Sequence, residues 1–156
     1  MGKKKAPPDA FQYALRLLSY RGRSRAELYG RLAEKHYPPG EAGPAIERLE
    51  KLGYVNDGAL AESLRRQAEG VKCLGRRGAM AYLLARGIPA GLAEEALRDY
   101  DESRGARKLY EKKLRSTGGL APETRKRRVF GALSRKGHSA RTIRGILKEN
   151  KEDEYE

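Results

Sequence analysis

Apolar residues recur every three or four positions along most of this chain, which is the spacing of one face of an α-helix. Leu28 and Leu32 show this spacing, and so do Leu49 and Leu52. Glycines and prolines interrupt the pattern at short intervals and predict turns between short helices. No alternation of apolar and polar residues is long enough to predict a strand. The sequence therefore predicts an all-α fold of about nine helices.

The stretch Leu133–Leu147 repeats a stretch that lies fifty residues earlier, Leu83–Leu97. The later copy reads LSRKGHSARTIRGIL and the earlier copy reads LLARGIPAGLAEEAL. In each copy we expect a helix to end in a basic residue and a glycine, and a second helix to follow after a short turn. A third stretch, Gly30–Tyr54, has the same organisation with a longer turn. One small helical unit used three times explains all three stretches, since self-similarity at a fixed period is typical of repeat architectures.

Capping residues indicate where individual helices begin. Asp9 and Gln12 have the spacing of a capping box, and Ser24 and Glu27 repeat it before the second helix. Asp57 is expected to cap the first helix of the next unit. The resulting division is a mobile basic N-terminus over 1–8, three-helix modules over 9–57, 58–101 and 102–148, and an acidic tail over 149–156.

The composition fits an elongated array of small modules better than one compact globule. Hydrophobic residues make up 38% of the 156 residues, and the mean hydropathy is −0.81. Both values are low for a chain that builds one large core. A linear array needs less core per residue, because each module packs only against its neighbours.

The formal net charge is +13 at pH 7, and most of it lies in the third predicted module. Residues 103–148 contain fifteen lysines and arginines against two acidic residues. Such an excess indicates a polyanionic partner, with nucleic acid as the first candidate and an acidic protein surface as the second. The alternative is a protein that is merely basic and soluble, and the clustering of the charge argues against it.

The densest cationic run lies in the eighth predicted helix. Successive helical residues are ~100° apart, so four consecutive cations point in all directions and some must extend outward from beside the core-facing stripe. Like charges on one surface repel one another, which is unfavourable for the folded chain. A polyanionic partner that neutralises the charges would remove this repulsion. DNA phosphates and acidic protein residues both remain possible partners. The candidate basic face comprises Arg125, Lys126, Arg127, Arg128, Arg135, Lys136, Arg141 and Arg144, with Arg76 and Arg77 as secondary candidates for holding a phosphate or a carboxylate.

The sequence offers no combination of residues that predicts catalysis, a metal site or a cofactor. His36 and His138 have no cysteine, histidine or acidic residue at ligand spacing, and we expect both to be solvated turn residues. Cys73 is the only cysteine, which excludes an internal disulfide and fits a reducing compartment. No run reaches the ~18 apolar residues of a membrane span, and the N-terminal stretch lacks the pattern of a secretory signal. We expect a cytoplasmic protein that is not an enzyme.

Three segments resemble recurrent segments of the RecX family, the regulators of bacterial recombination, and they occur in the family's order. They read SYRGRSRAEL (Ser19–Leu28), LEKLGYVNDGALAES (Leu49–Ser63) and YLLARGIPAGLAEEAL (Tyr82–Leu97). The sequence departs from the family's pattern at Asn56, where an aspartate is common, and at Gly58, where a larger residue is usual. Both positions lie in a predicted turn, so they affect local capping more than the resemblance itself.

The resemblance implies tandem three-helix repeats that form a curved, elongated protein. It also implies binding to the RecA recombinase, typically in the groove of the RecA filament on DNA. Members of the family usually suppress the ATPase, strand-exchange and coprotease activities of RecA, and many bind DNA themselves. We therefore expect a monomeric RecA regulator with weaker DNA binding and no cofactor. The alternative is a stand-alone basic helical module that binds DNA or RNA.

Overall fold

The computed structural model describes residues 6–152, with side chains for residues 6–149. Within residues 6–152 the chain forms nine helices and no strand, which confirms the all-α prediction. Residues 1–5 and 153–156, which belong to the predicted N-terminal and C-terminal tails, lie outside the described residues. The helices are α1 (Ala10–Tyr20), α2 (Arg25–Glu34), α3 (Pro39–Lys51), α4 (Asp57–Gly70), α5 (Arg76–Ala85), α6 (Ala90–Ala96), α7 (Glu102–Ser116), α8 (Pro122–Arg135) and α9 (Ala140–Glu152).

Each group of three successive helices packs around an apolar cluster of its own. We call α1–α3 module 1, α4–α6 module 2 and α7–α9 module 3. Leu28 and Ile46 lie in the first cluster, Leu64 and Leu83 in the second, and Leu133 in the third, and all five are fully buried. Because each cluster is small, the modules stabilise one another where they meet.

Three local expectations were wrong. Leu52 does not continue the apolar stripe of α3, because that helix ends at Lys51 and the Leu52 side chain is 56% exposed. Ser24 caps α2 as predicted, but the Glu27 side chain does not complete the box, since it binds Arg21 and Arg23 instead. The cap of α4 is Asn56 rather than Asp57.

Asp57 instead forms part of the interface between modules 1 and 2. Its Oδ1 accepts the backbone N–H of Arg25 at 2.9 Å, so the first residue of module 2 caps the middle helix of module 1. The turn after α5 packs against the same helix end. A Cβ on Gly87 would lie 2.4 Å from the Ser24 hydroxyl, and Arg86 donates to the carbonyl of Gly22 at 3.1 Å.

The interface between modules 2 and 3 has the same arrangement. Glu102, the first residue of α7, accepts the backbone N–H of Arg76 at 2.8 Å and so caps α5. The turn after α8 packs against the start of α5, where Gly75 donates to the carbonyl of Lys136 at 2.9 Å. A Cβ on Gly137 would lie 2.2 Å from the backbone nitrogen of Gly78, so only glycine fits there. The repeated pair of a basic residue and a glycine therefore marks the contact of each module with the one before it.

Module 1 has no preceding module among the described residues, and its equivalent turn is different. There His36 occupies the position of Gly87 and Gly137, with a φ of 63° against 78° and 83°. Its side chain is exposed, as the sequence predicted. A side chain is tolerated at this left-handed position because no backbone of another module approaches it.

His138 is not the solvated turn residue that the sequence suggested. Its side chain is 3% exposed, because the turn that carries it is covered by module 2. Its Nε2 lies 2.9 Å from the carbonyl oxygen of Cys73. Burial lowers the pKa of His138 below its usual 6.5, and the hydrogen bond to Cys73 offsets this only in part. His138 is therefore a neutral residue that helps to join modules 2 and 3.

Acid is expected to weaken the interface between modules 2 and 3 in two steps. Below about pH 6.5 the unfolded chain protonates His138 more readily than the folded chain does, so the free energy of unfolding falls. Burial alone would raise the pKa of Glu102, but hydrogen bonds from Ser139, Thr142 and the N–H of Arg76 lower it to about 2. Protonation of Glu102 is the second step. As the pH falls from 4.5 to about 2, it should lower the free energy of unfolding by about 1 kcal/mol, after allowance for solvent screening.

Urea unfolding measured from pH 7 to pH 2 tests this expectation. Glu102→Gln should make the fall in the free energy of unfolding below pH 4.5 smaller by about 1 kcal/mol, whereas Glu94→Gln, at an exposed carboxylate of α6, should leave it unchanged. A free energy of unfolding that stays constant from pH 7 to pH 2 would contradict it.

Candidate functional site

Helix α8 carries the densest cationic run, and the structure separates its first member from the other three. Arg125 is half-buried beside the core-facing residues Val129, Ala132 and Leu133. Its Nη2 donates to the carbonyls of Gly118 at 3.1 Å and Leu120 at 3.3 Å. Arg125 therefore fastens the turn between α7 and α8, and its guanidinium is less available to a partner than the sequence suggested.

The other three cations of the run, Lys126, Arg127 and Arg128, are exposed. Among the described side chains none of them forms an ion pair with a carboxylate. They do not share one direction, because Lys126 and Arg128 lie about 200° apart around the helix axis. Arg128 and the exposed Arg135 are two turns apart, so they lie on the same side of α8.

Helix α9 presents a more regular cationic stripe. Arg141, Arg144 and Lys148 are spaced by three and four residues and are all exposed. Ile143 and Ile146 lie on the opposite side of the helix and are buried, at 1% and 3% exposure. The apolar frame that α9 shares with the earlier repeat thus carries a positively charged outer surface.

We give the name basic face to those exposed cations of α8, its C-terminal turn and α9 that the sequence predicted. It contains seven of the eight primary residues predicted from the sequence, and in the described part of the chain none of the seven is paired with a carboxylate. A partner that binds this face does not have to break existing ion pairs. The members are Lys126, Arg127, Arg128, Arg135, Lys136, Arg141 and Arg144.

Sequence reasoning missed the outer surface of α7. Five exposed cations lie there, opposite the buried residues Gly105, Ala106 and Leu109. Two of them are already engaged, since Lys108 donates to the carbonyl of Gly70 at 2.8 Å and Arg107 pairs with Glu149 at 3.2 Å. The helical spacing of the charges could have identified this surface from the sequence. The five are Arg104, Arg107, Lys108, Lys112 and Arg115.

The two secondary candidates at the start of α5 have different surroundings. The N–H of Arg76 is bound by Glu102, and its guanidinium donates to the carbonyl of Leu97, so Arg76 connects parts of the fold. The guanidinium of Arg77 is exposed and forms no hydrogen bond or ion pair with the described residues. Only Arg77 is therefore free to hold an anion.

The chain matches two family models, and both describe three-helix domains. Residues 10–49 match the first three-helix domain of RecX, and residues 101–147 match the third. The regulatory protein RecX of Streptomyces lividans is 35% identical over 162 residues, which cover 97% of this chain and 86% of that protein. The chain belongs to the RecX family.

Other RecX proteins agree with this assignment in sequence and in structure. The regulatory protein RecX of Chlorobaculum tepidum is 34% identical over 94% of this chain and 89% of its own length. The crystal structure of RecX from Lactobacillus salivarius superimposes with a TM-score of 0.76 at 26% identity, over 90% of this chain and 93% of that one. The resemblance found in the sequence is confirmed, and so are the tandem three-helix repeats.

Membership of a regulatory family and the all-helical fold both point to a protein that is not an enzyme. Among the described residues no three histidines, cysteines or carboxylates come together as metal ligands. None of the helices in the described part of the chain has the length and apolarity that a bilayer crossing requires.

Proposed function

We propose that this RecX chain binds the RecA recombinase filament on DNA and modulates, mostly by inhibition, its ATPase, strand-exchange and coprotease activities. The observation that carries the proposal is the basic face, whose seven exposed cations have no carboxylate partner among the described residues. In a family of regulatory proteins, such a surface indicates a polyanionic partner. A filament of recombinase on DNA offers one, through its phosphates and its acidic side chains.

The array of modules suits a filament better than it suits a small ligand. Three modules in a row present a long surface, on which many modest contacts add up without a deep pocket. A protein that contacts neighbouring RecA protomers at the same time would resist the rearrangement that strand exchange and ATP hydrolysis require. The proposal places the three modules at 9–57, 58–101 and 102–148, in a monomer that acts in the cytoplasm.

Removing three cations from the basic face should weaken binding to RecA filaments. We expect replacement of Lys126, Arg127 and Arg128 by alanine to raise the dissociation constant about tenfold at physiological salt, because each lost cation removes a favourable electrostatic contact. Arg125 is left in place because it fastens the α7–α8 turn. Fluorescence anisotropy of the labelled chain on RecA filaments assembled on single-stranded DNA measures the change.

A matched triple variant in module 1 controls for the loss of net charge. Arg16, Lys35 and Lys51 are exposed and form no ion pair among the described side chains, so their replacement by alanine lowers the charge by the same amount elsewhere. This variant should bind like the wild type. Equal binding by all three proteins, each with an unchanged melting temperature, would contradict the assignment of the basic face.

The cations of α7 favour a second candidate function, that of a stand-alone module that binds DNA or RNA. Arg104 and Lys108 line a cleft of about 500 Å³ together with Arg66 at the end of α4. A protein that binds only phosphates should lose affinity steeply as salt rises and should not require RecA. Binding to naked DNA that equals binding to the RecA filament at every salt concentration would favour this function.

A further inference from the structure

A second cleft lies where modules 2 and 3 meet, apart from the basic face. Its volume is about 550 Å³, which is within the range of sites that hold a ligand side chain or small molecule. Met80 from α5, Phe130 from α8 and Ile143 from α9 provide its apolar surface. Phe130 is 44% exposed. The cleft therefore offers apolar surface to a side chain from outside the molecule.

A buried and incompletely satisfied histidine lines the same cleft. Because the carbonyl of Cys73 can only accept, the Nε2 of His138 must carry the ring proton at 2.9 Å. The neutral ring then leaves Nδ1 as an acceptor, and Nδ1 is buried with no hydrogen-bond partner in the described part of the chain. Such an acceptor is unfavourable by about 1–3 kcal/mol. His138 lines the cleft, so a ligand that packs there would lie beside it.

The charges at the cleft favour an acidic ligand with few negative groups. The exposed guanidinium of Arg77 lines the cleft and is unpaired. Glu102 also lines it, but its carboxylate is held by Arg76 and Ser139 at the N-termini of α5 and α9, whose partial positive charges offset it. One carboxylate can therefore be held at Arg77, whereas a run of closely spaced phosphates would meet both Glu102 and the apolar surface.

We propose that this cleft binds a peptide segment of a partner protein that carries a large apolar side chain beside a carboxylate. The apolar side chain packs against Met80, Phe130 and Ile143 beside the buried ring of His138, and the carboxylate pairs with Arg77. The cleft contains no residue of the basic face. A partner could therefore contact the cleft and the basic face at the same time.

Titration of the full chain with a defined peptide tests the cleft. The probe is a terminally blocked, fluorescein-labelled peptide, Asp-Ser-Phe-Leu-Asp-Glu, and its comparison is the same peptide with serine in place of phenylalanine and leucine. We expect saturable binding of the first peptide only, with a dissociation constant that rises at least tenfold in Phe130→Ser and in Arg77→Glu. Both side chains are exposed, so neither change should unfold the protein.

Leu84→Ser provides the matched control, because Leu84 is an exposed leucine of α5 that does not line the cleft. This variant should bind the peptide within about twofold of the wild type. Three results would overturn the proposal: no saturable binding up to millimolar peptide, equal binding of the comparison peptide that lacks phenylalanine and leucine, or unchanged affinity in Phe130→Ser. Phe130-dependent displacement of the peptide by a short oligothymidylate would instead identify a nucleic-acid site and overturn it as well.

The ¹⁵N resonance of the His138 ring provides an independent measurement in the same titration. A peptide that packs beside the ring should shift this resonance, whereas the serine peptide should not. A resonance that does not move during Phe130-dependent binding would overturn the placement of the peptide beside His138. These experiments contain no RecA, so their failure would leave the proposed function to be decided by the filament measurements.

Discussion

Leu133→Asp will unfold module 3. Leu133 is fully buried in the cluster that it forms with Val129, Ile143 and Ile146. Truncating a buried leucine costs about 2–5 kcal/mol, and the carboxylate that replaces it would be buried without a partner. A loss of about 4 kcal/mol or more is comparable with the whole stability of a small domain, which is about 5–15 kcal/mol. Far-UV circular dichroism should show lower helicity and an earlier thermal transition.

The matched control for this change is Leu84→Asp, which introduces the same charge on α5. The Leu84 side chain is 45% exposed, so the new carboxylate remains hydrated and the melting temperature should change little. Equal melting of Leu133→Asp and the wild type would show that the apolar stripe of α8 had been assigned to the wrong residues.

Gly137→Ala is expected to open the interface between modules 2 and 3. Gly137 has a φ of 83°, and its added Cβ would lie 2.2 Å from the nitrogen of Gly78 and 2.7 Å from its Cα. Neither backbone can move without disturbing the hydrogen bond from Gly75 to Lys136. We expect the free energy of unfolding to fall by about 3 kcal/mol. About 1 kcal/mol of this comes from the left-handed conformation, and the rest comes from the overlap of the added Cβ with the backbone of Gly78.

Gly53→Ala separates these two contributions. Gly53 has nearly the same φ, 80°, but no atom lies within 4 Å of its added Cβ. The free energy of unfolding of this variant should therefore fall only by the conformational contribution, about 1 kcal/mol. Urea unfolding of both variants, with hydrogen exchange at the N–H of Gly75, measures the difference. Equal losses in the two variants would show that the modules do not depend on the close approach at Gly137.

The apolar spacing predicted the helices and most of their buried side chains. Apolar residues that are three and four positions apart lie on one side of a helix, and that side packs against the core. Leu133 is an example. Leu52 continues the same spacing and is exposed, since the spacing alone does not fix the residue at which a helix ends. The error is local and amounts to one residue at the end of α3.

Contacts between modules could not be read from the sequence in the same way. The repeated glycines at 87 and 137 were visible, but their reason lies in backbone atoms of the preceding module. Asp57 and Glu102 each have the position of an ordinary first-turn acid, and both cap a helix of another module. These hydrogen bonds join residues 32 and 26 positions apart, so no local pattern indicates them.

The basic face was easier to predict, because lysine and arginine side chains are rarely buried. Once a helix had been assigned, its charged residues could be expected to be exposed. Seven of its predicted side chains are exposed, and α9 arranges its cations in one stripe. Arg125 was harder, since its partners are carbonyls in a turn whose path depends on the packing of α7 against α8. His138 was misjudged for a similar reason, because the residues that bury it come from module 2.

The rate of ATP hydrolysis by RecA filaments on single-stranded DNA tests the central claim most directly. With less than one RecX chain per RecA subunit the rate should fall, and it should fall at both low and physiological salt. The variant without Lys126, Arg127 and Arg128 should need about tenfold more protein for the same effect, whereas the Arg16, Lys35 and Lys51 control should act like the wild type. An unchanged rate, or a decrease that appears only at low salt and equals the effect of simple competition for DNA, would contradict the account.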